Sequence, residues 1–120
     1  MELTQLGAVE MRFAELIWEH APIGSGELVV LAQKALNWKK STSYTVLRKL
    51  CQRGLFQNAD SRVTVLITKE EYQSLQSAQF VEGNFSGSLP AFLAAFTAKK
   101  ALTQKEIDQI QTMLDSYKGN

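Results

Sequence analysis

Apolar residues recur at helical spacing over residues 8–20, where Val9, Phe13, Leu16 and Ile17 share a face and Trp18 lies beside them. Gly7 is the predicted N-cap and Glu10 the third helical residue, with Leu6 and Met11 placed as a hydrophobic staple. Ala21-Pro22-Ile23-Gly24 ends this helix, because proline lacks a backbone donor and glycine relaxes the chain. Ser25 then reads as the N-cap of a second helix, with Glu27 in its first turn. Its stripe is Leu28, Leu31, Ala32 and Ala35, and Asn37 and Trp38 interrupt it. A third helix is predicted from near Ser41-Thr42 to Arg53. Its apolar positions are Val46, Leu47, Leu50 and Cys51; its other face is Thr42, Tyr44, Thr45, Arg48, Lys49 and Gln52. Gly54 is the expected left-handed residue after it.

The period then changes. Leu55-Phe56-Gln57 and Val63-Thr64-Val65-Leu66-Ile67 are bulky and β-branched, and Asn58-Ala59-Asp60-Ser61-Arg62 between them are turn formers, which predicts a short hairpin. Thr68-Lys69-Glu70-Glu71 is a capping box opening a fourth helix that reaches about Phe80 or beyond. Gly83, Ser86 and Gly87 read as a loop. Ser88 caps a fifth helix with Pro90 in its first turn, ending near Lys99. Thr103-Gln104-Lys105-Glu106 opens a sixth, whose stripe is Ile107, Ile110, Leu114 and Tyr117. The fold class is therefore mainly α with a small β-hairpin: a winged helix-turn-helix over 1–67, followed by a helical dimerisation region over 68–120. The second part is near the lower limit for independent folding, which points to an interlocked homodimer.

Composition narrows the classes. Of the 120 residues, 45% are hydrophobic and 21% charged, too apolar for a disordered tail and too charged for a membrane protein. No stretch approaches a membrane span. Met1-Glu2-Leu3-Thr4-Gln5 shows no signal-peptide pattern, so a cytoplasmic location is expected. The single cysteine, Cys51, and the single histidine, His20, argue against a disulfide scaffold or a structural zinc site; no metal or cofactor is expected. The net charge of +1 conceals an uneven distribution. Residues 34–62 hold seven basic residues (Lys34, Lys39, Lys40, Arg48, Lys49, Arg53, Arg62) against one acid, Asp60. Such a local excess is what a small phosphate-binding face looks like.

The third helix carries the chemistry. A DNA-reading helix needs short hydrogen-bonding side chains near its N-terminus and longer cations farther along for flanking phosphates. Ser41, Thr42, Tyr44, Thr45 and Arg48 follow that order, Lys39, Lys40, Lys49 and Arg53 add charge, and Arg62 is the hairpin's cation. Catalysis finds little support. His20 ends a helix with no nucleophile near it in sequence, Cys51 lies on an apolar side, and Glu70-Glu71 belongs to a helix start. The aromatics Tyr72, Phe80, Phe85, Phe92, Phe96 and Tyr117 read as core and dimer interface. The expected dimer residues are Tyr72, Leu75, Phe92, Phe96, Ile107, Ile110, Leu114 and Tyr117.

The run Ser41-Thr42-Ser43-Tyr44-Thr45-Val46-Leu47-Arg48-Lys49-Leu50, then Arg53-Gly54-Leu55, resembles the recognition-helix signature of the penicillinase repressor (BlaI/MecI-type) family. Leu16-Ile17-Trp18-Glu19 is similar to that family's first helix. Phe80, Phe85-Ser86-Gly87, Leu93-Ala94-Ala95-Phe96 and Leu102-Thr103-Gln104-Lys105-Glu106-Ile107 are similar to its C-terminal half. The resemblance covers nearly the whole chain. It implies a homodimeric winged-helix repressor on a palindromic double-stranded DNA operator, dimerised by its C-terminal helices. It also implies inactivation by a signalling protease that cuts within those helices. The family's cleaved bond is an Asn-Phe pair; the matching pair here is Ala95-Phe96, and Asn84-Phe85 aligns elsewhere. The hairpin is shorter than usual, with Arg62 as its sole cation. The paired C-terminal cysteines of the copper-responsive branch are absent.

The sequence thus reads as a sequence-specific DNA-binding repressor without enzymatic activity. Two rival readings are a protein-binding winged-helix adaptor and a small-molecule-responsive regulator with an effector cavity between the last helices and the winged domain.

Overall fold

The computed structural model describes residues 5–119; residues 1–4, where no signal sequence is expected, and Asn120 lie outside the described residues. Helix α1 spans Ala8–His20 and opens at Gly7, whose N–H donates to Glu10 Oε1 at 3.0 Å. Its buried strip is Phe13, Ala14 and Ile17. That strip is turned toward Ala14, so Val9, expected on the inner face, lies on the flank and is 57% exposed. Leu6 is buried instead, and its N–H donates to Tyr72 Oη at 3.0 Å.

The segment expected to be only a turn contains a strand. Ile23–Gly24 (β1) pairs antiparallel with the hairpin, Ile23 opposite Val63 and Gly24 opposite Arg62. This moves the start of helix α2, Ser25–Leu36. Gly24 is its N-cap, not Ser25; Ser25 is the first helical residue, is buried, and donates its N–H to Ser61 O at 2.8 Å. The β1–β3 pairing has already used the chain up to Gly24, so the backbone at Ser25 turns directly into the helix. Asn37 closes α2 in the left-handed region at φ 57°, a conformation asparagine tolerates. Trp38 follows and stacks on Phe13, ring centroids 5.1 Å apart.

Helix α3 spans Lys40–Gln52, and Gly54 adopts the left-handed turn that follows it, at φ 85°. Strands β2 (Phe56–Ala59) and β3 (Arg62–Val65) complete a sheet of order β1-β3-β2. The connecting turn is tighter than the five residues predicted. Only Asp60 and Ser61 form it, both left-handed at φ 53° and 60°, the geometry that matches strand twist in two-residue hairpins. Asn58, Ala59 and Arg62 belong to the strands.

Phe13, Ile17, Leu28, Leu47, Leu50, Leu55, Phe56 and Val63 form the centre of the core. Trp18 closes one side: its indole Nε1 donates to Ile67 O at 2.9 Å, and its ring lies 5.5 Å from Phe56 and 5.7 Å from Tyr72.

Helix α4 spans Lys69–Phe85, so Gly83 and Asn84 are helical rather than in a loop. The break is confined to Ser86 and Gly87, both at positive φ. Helix α5, Leu89–Lys99, is capped by Ser88 Oγ, which accepts from Ala91 N. Helix α6, Gln104–Lys118, opens at Thr103. No described helix is long and apolar enough to cross a membrane.

The described residues fall into two compact units that divide between Ser77 and Ala78. The first holds the core above, including Tyr72. The second has no buried residue among those described. Its apolar side chains form an open aromatic cluster in which Phe92 lies 6.0 Å from Phe80, 5.6 Å from Phe85 and 6.1 Å from Phe96.

Two capping boxes form as the sequence predicts. Thr68 N donates to Glu71 Oε1 at 2.9 Å and Glu71 N to Thr68 Oγ1 at 3.1 Å; Thr103 and Glu106 repeat this at 2.8 and 3.1 Å. The backbone N–H bond, then the threonine hydroxyl, holds each carboxyl below the usual glutamate range. A carboxyl lowered on folding stabilises above its unfolded value, and that contribution is lost as pH falls through the folded value. A carboxyl-detected NMR titration should find Glu71 and Glu106 with midpoints below an ordinary glutamate; midpoints at or above it would show that the boxes are open in solution.

Candidate nucleic-acid interface

Helix α3 divides its residues sharply. Ser43, Leu47 and Leu50 are buried and seat it on the first unit. Ser41, Thr45, Arg48 and Gln52 project from the opposite side, and all four are exposed. Thr42 and Lys49 flank that face on one side; Tyr44 and Cys51, both half-buried, flank it on the other. Lys39 and Lys40 are exposed where the helix begins. Thus Lys39, Lys40, Ser41, Thr42, Thr45, Arg48 and Lys49 sit together on one solvent-facing surface. None of their side chains, nor that of Tyr44, has a hydrogen bond or ion pair within the described residues.

Val46, expected among the apolar anchors, is only half-buried, and Ser43 takes an inward place that the sequence pattern did not predict. Arg53, counted among the surrounding cations, is turned elsewhere. Its Nη1 lies 3.6 Å from Glu10 Oε1, the same oxygen that caps α1. That contact ties the end of α3 to the start of α1.

Arg62 is exposed at the first position of β3, opposite Ala59 and Gly24, beside the turn that carries Asp60. The wing tip thus presents one cation next to one anion. Asn58, of a turn-forming type, sits in β2 instead of the turn and lines a cleft against α3 with Tyr44, Leu47, Arg48 and Cys51. Its place depends on strand register, which a turn-forming residue type conceals.

The other candidates separate as well. Tyr72, expected on the dimer face, is 4% exposed in the first unit's core, where it bonds Leu6 and packs on Trp18. Leu75 is exposed on α4. Phe92 and Ile110 are half-buried, and Phe96, Ile107, Leu114 and Tyr117 are exposed. Ala95 and Phe96 lie inside α5 with both residues accessible. His20 Nδ1 lies 2.8 Å from Leu16 O at the end of α1.

Residues 6–116 match the model of the penicillinase repressor family. The chain belongs to that family. It is 25% identical over 122 residues to a penicillinase repressor of Bacillus licheniformis, covering 98% of this chain and 95% of that one. It is 19% identical over 115 residues to the methicillin resistance regulatory protein MecI of Staphylococcus aureus, covering 92% and 94%. As a member of the penicillinase repressor family, the chain is a DNA-binding transcriptional repressor of winged-helix fold.

Helix α3 of this repressor carries one unfavourable group. Ser43 is fully buried, and its Oγ has no hydrogen-bond partner. Removing an unsatisfied buried hydroxyl relieves a desolvation penalty of about 1–3 kcal/mol, offset in part by the lost packing of one atom. Ser43→Ala should raise the free energy of unfolding by up to about 1 kcal/mol, measured by urea denaturation. A clear loss of stability would show that the hydroxyl has a partner in solution.

Proposed function

We propose that this chain represses transcription as a homodimer that places α3 of each copy in the major groove of one half of a palindromic operator. The observation that carries this reading is the outward face of α3. Lys39 and Lys40 stand at its start, short polar groups come next, Arg48 and Lys49 follow, and all of them lack side-chain partners among the described residues. Short side chains near the start of the helix can approach base edges, and Lys39, Lys40, Arg48 and Lys49 supply phosphate contacts. Arg62 adds a phosphate contact from the wing.

Dimerisation through residues 78–119 is supported by the second unit's lack of a core. Its three helical segments leave Phe80, Leu89, Phe96, Ile107, Met113, Leu114 and Tyr117 more than two-fifths exposed. So many large apolar groups on so short a segment are stable in water only when another surface covers them. A second copy supplies the same groups and completes the core.

Inactivation by proteolysis belongs to the same proposal. A cut at Ala95-Phe96 would separate α6 from the reading unit. The bond lies within α5, so the helix must open locally before a protease can take it as an extended strand.

Two measurements test the reading. Against an operator selected from random duplexes, Arg48→Ala should lower the salt dependence of binding by about one counterion. Thr45→Ala should cost about 1–3 kcal/mol of discrimination between operator and scrambled DNA. Wild-type behaviour in both variants would remove α3 as the reader. Leu114 is exposed in the single chain, so Leu114→Asp disturbs little there; an unpaired charge buried between two copies costs several kcal/mol. Sedimentation should then find monomers, and an unchanged dimer would reject this interface.

A further inference from the structure

We infer that the cleft between α3 and β2 seats one phosphate of the DNA backbone, with the Asn58 carboxamide as a contact beside Arg48 and Tyr44. The inference rests on the DNA-reading role proposed above and adds a residue and a site to it. The cleft measures about 300 Å³ and is lined by Tyr44, Leu47, Arg48 and Cys51 from α3 and by Asn58 from β2. Leu47 is 2% exposed and forms an apolar floor. Tyr44 is half-buried and packs against the core. Arg48 and Asn58 are exposed at the rim.

Three donor groups therefore meet at one cleft: a phenol O–H, a guanidinium and a carboxamide NH₂. None of the three has an intramolecular side-chain partner among the described residues. Donors gathered with no carboxylate in the lining suit an anion with several oxygens. Cys51 does not oppose it. Burial pushes its thiol above the ordinary value, outweighing the lowering effect of the Asn58 N–H, so the group is uncharged at neutral pH.

Position selects the source of the phosphate. The major groove is about 12 Å wide and a helix with side chains about 10–12 Å across, so the strand backbones run along both flanks of an inserted helix. The cleft lies on the flank of α3 next to Arg48, one turn on from Thr45 at the centre of the reading face. A backbone phosphate beside α3 is thus within reach of β2, and the sheet becomes a second wall of the DNA site. The tight Asp60-Ser61 turn is what brings Asn58 there. A five-residue loop would have carried the amide out of the strand and away from the helix.

The test uses the full chain, with operator and scrambled duplexes titrated at several salt concentrations. Asn58→Ala should weaken both duplexes by the same factor, roughly tenfold for one hydrogen bond to a charged group. The salt slope should stay unchanged, because a neutral side chain displaces no counterion. Asn58→Asp should weaken both further through charge repulsion. Saturating operator should also slow modification of Cys51 by a small maleimide. Wild-type affinity of Asn58→Ala overturns the inference, as does a loss confined to the operator, which would mark base reading. Protection of Cys51 by inorganic phosphate without DNA would mark a free-anion site and overturns it too. If Arg48→Ala and Thr45→Ala weaken binding while Asn58→Ala does not, the cleft assignment alone falls. If none of the three changes binding, the reading role of α3 falls with it.

Discussion

The buried strip of Ser43, Leu47 and Leu50 sets what the rest of the molecule can present. These three positions span about two turns of α3, roughly 10 Å along its axis. Each leucine contributes about 1.5–3 kcal/mol by leaving water, and each touches a core built by α1, α2 and the sheet. A helix held by so narrow a strip has its rotation fixed by it. Advancing the buried set by one residue would turn the helix by about 100° and carry Thr45 and Arg48 off the outward face. The ends of the helix reinforce that orientation. Arg53 reaches Glu10 at the start of α1, and the left-handed turn at Gly54 sends the chain into Leu55, which is buried. The outward polar face of α3 is thus a consequence of the packing behind it.

The two units meet the problem of burial differently. The first encloses Phe13, Ile17, Leu28, Phe56 and Val63 completely with three helices and three short strands. Its last core residue is Tyr72, where α4 has barely begun. The second unit has good local structure at every helix start, with Ser88 and Thr103 both capping through their side chains. Yet its aromatic rings meet edge to face in an open cluster and bury nothing fully. Capping and propensity specify helices there, and the missing component is a surface to pack them against.

Much of this was legible from residue order. The helix limits at Ala8–His20 and Leu89–Lys99 follow from turn chemistry and caps, which are local and strong. The winged-helix architecture follows from the change of period after Gly54. What stayed hidden was decided at a distance. Ile23–Gly24 becomes a strand only because Val63 and Arg62 arrive beside it. Asn58 and Ala59 look like turn residues, and only the register with β3 draws them into a ladder. Gly83 weakens a helix but does not end one, so α4 continues to Phe85. In the candidate site, the exposed polar face of α3 was readable from spacing. The diversion of Arg53 to Glu10, the inward turn of Ser43 and the removal of Tyr72 from the outer face were not, because each depends on a partner far away in sequence.

The position of Tyr72 also bears on how such a repressor could be switched. Every core residue of the first unit lies at or before it, so loss of chain beyond the division at Ser77 removes no core side chain from that unit. In the proposed arrangement each copy brings one such unit, with one outward helix and a wing whose Arg62 stands beside Asp60. Two such units joined on one palindrome, as proposed, would bind as a linked pair, which commonly adds on the order of 10²–10⁴ to affinity. Nearly all of that gain would depend on residues 78–119, the part without a core of its own. On that proposal, an event that parts or opens those helices would release DNA while leaving the first unit folded. In the proposed dimer, binding would then be controlled where the structure is least self-sufficient, with the outward face of α3 left unchanged.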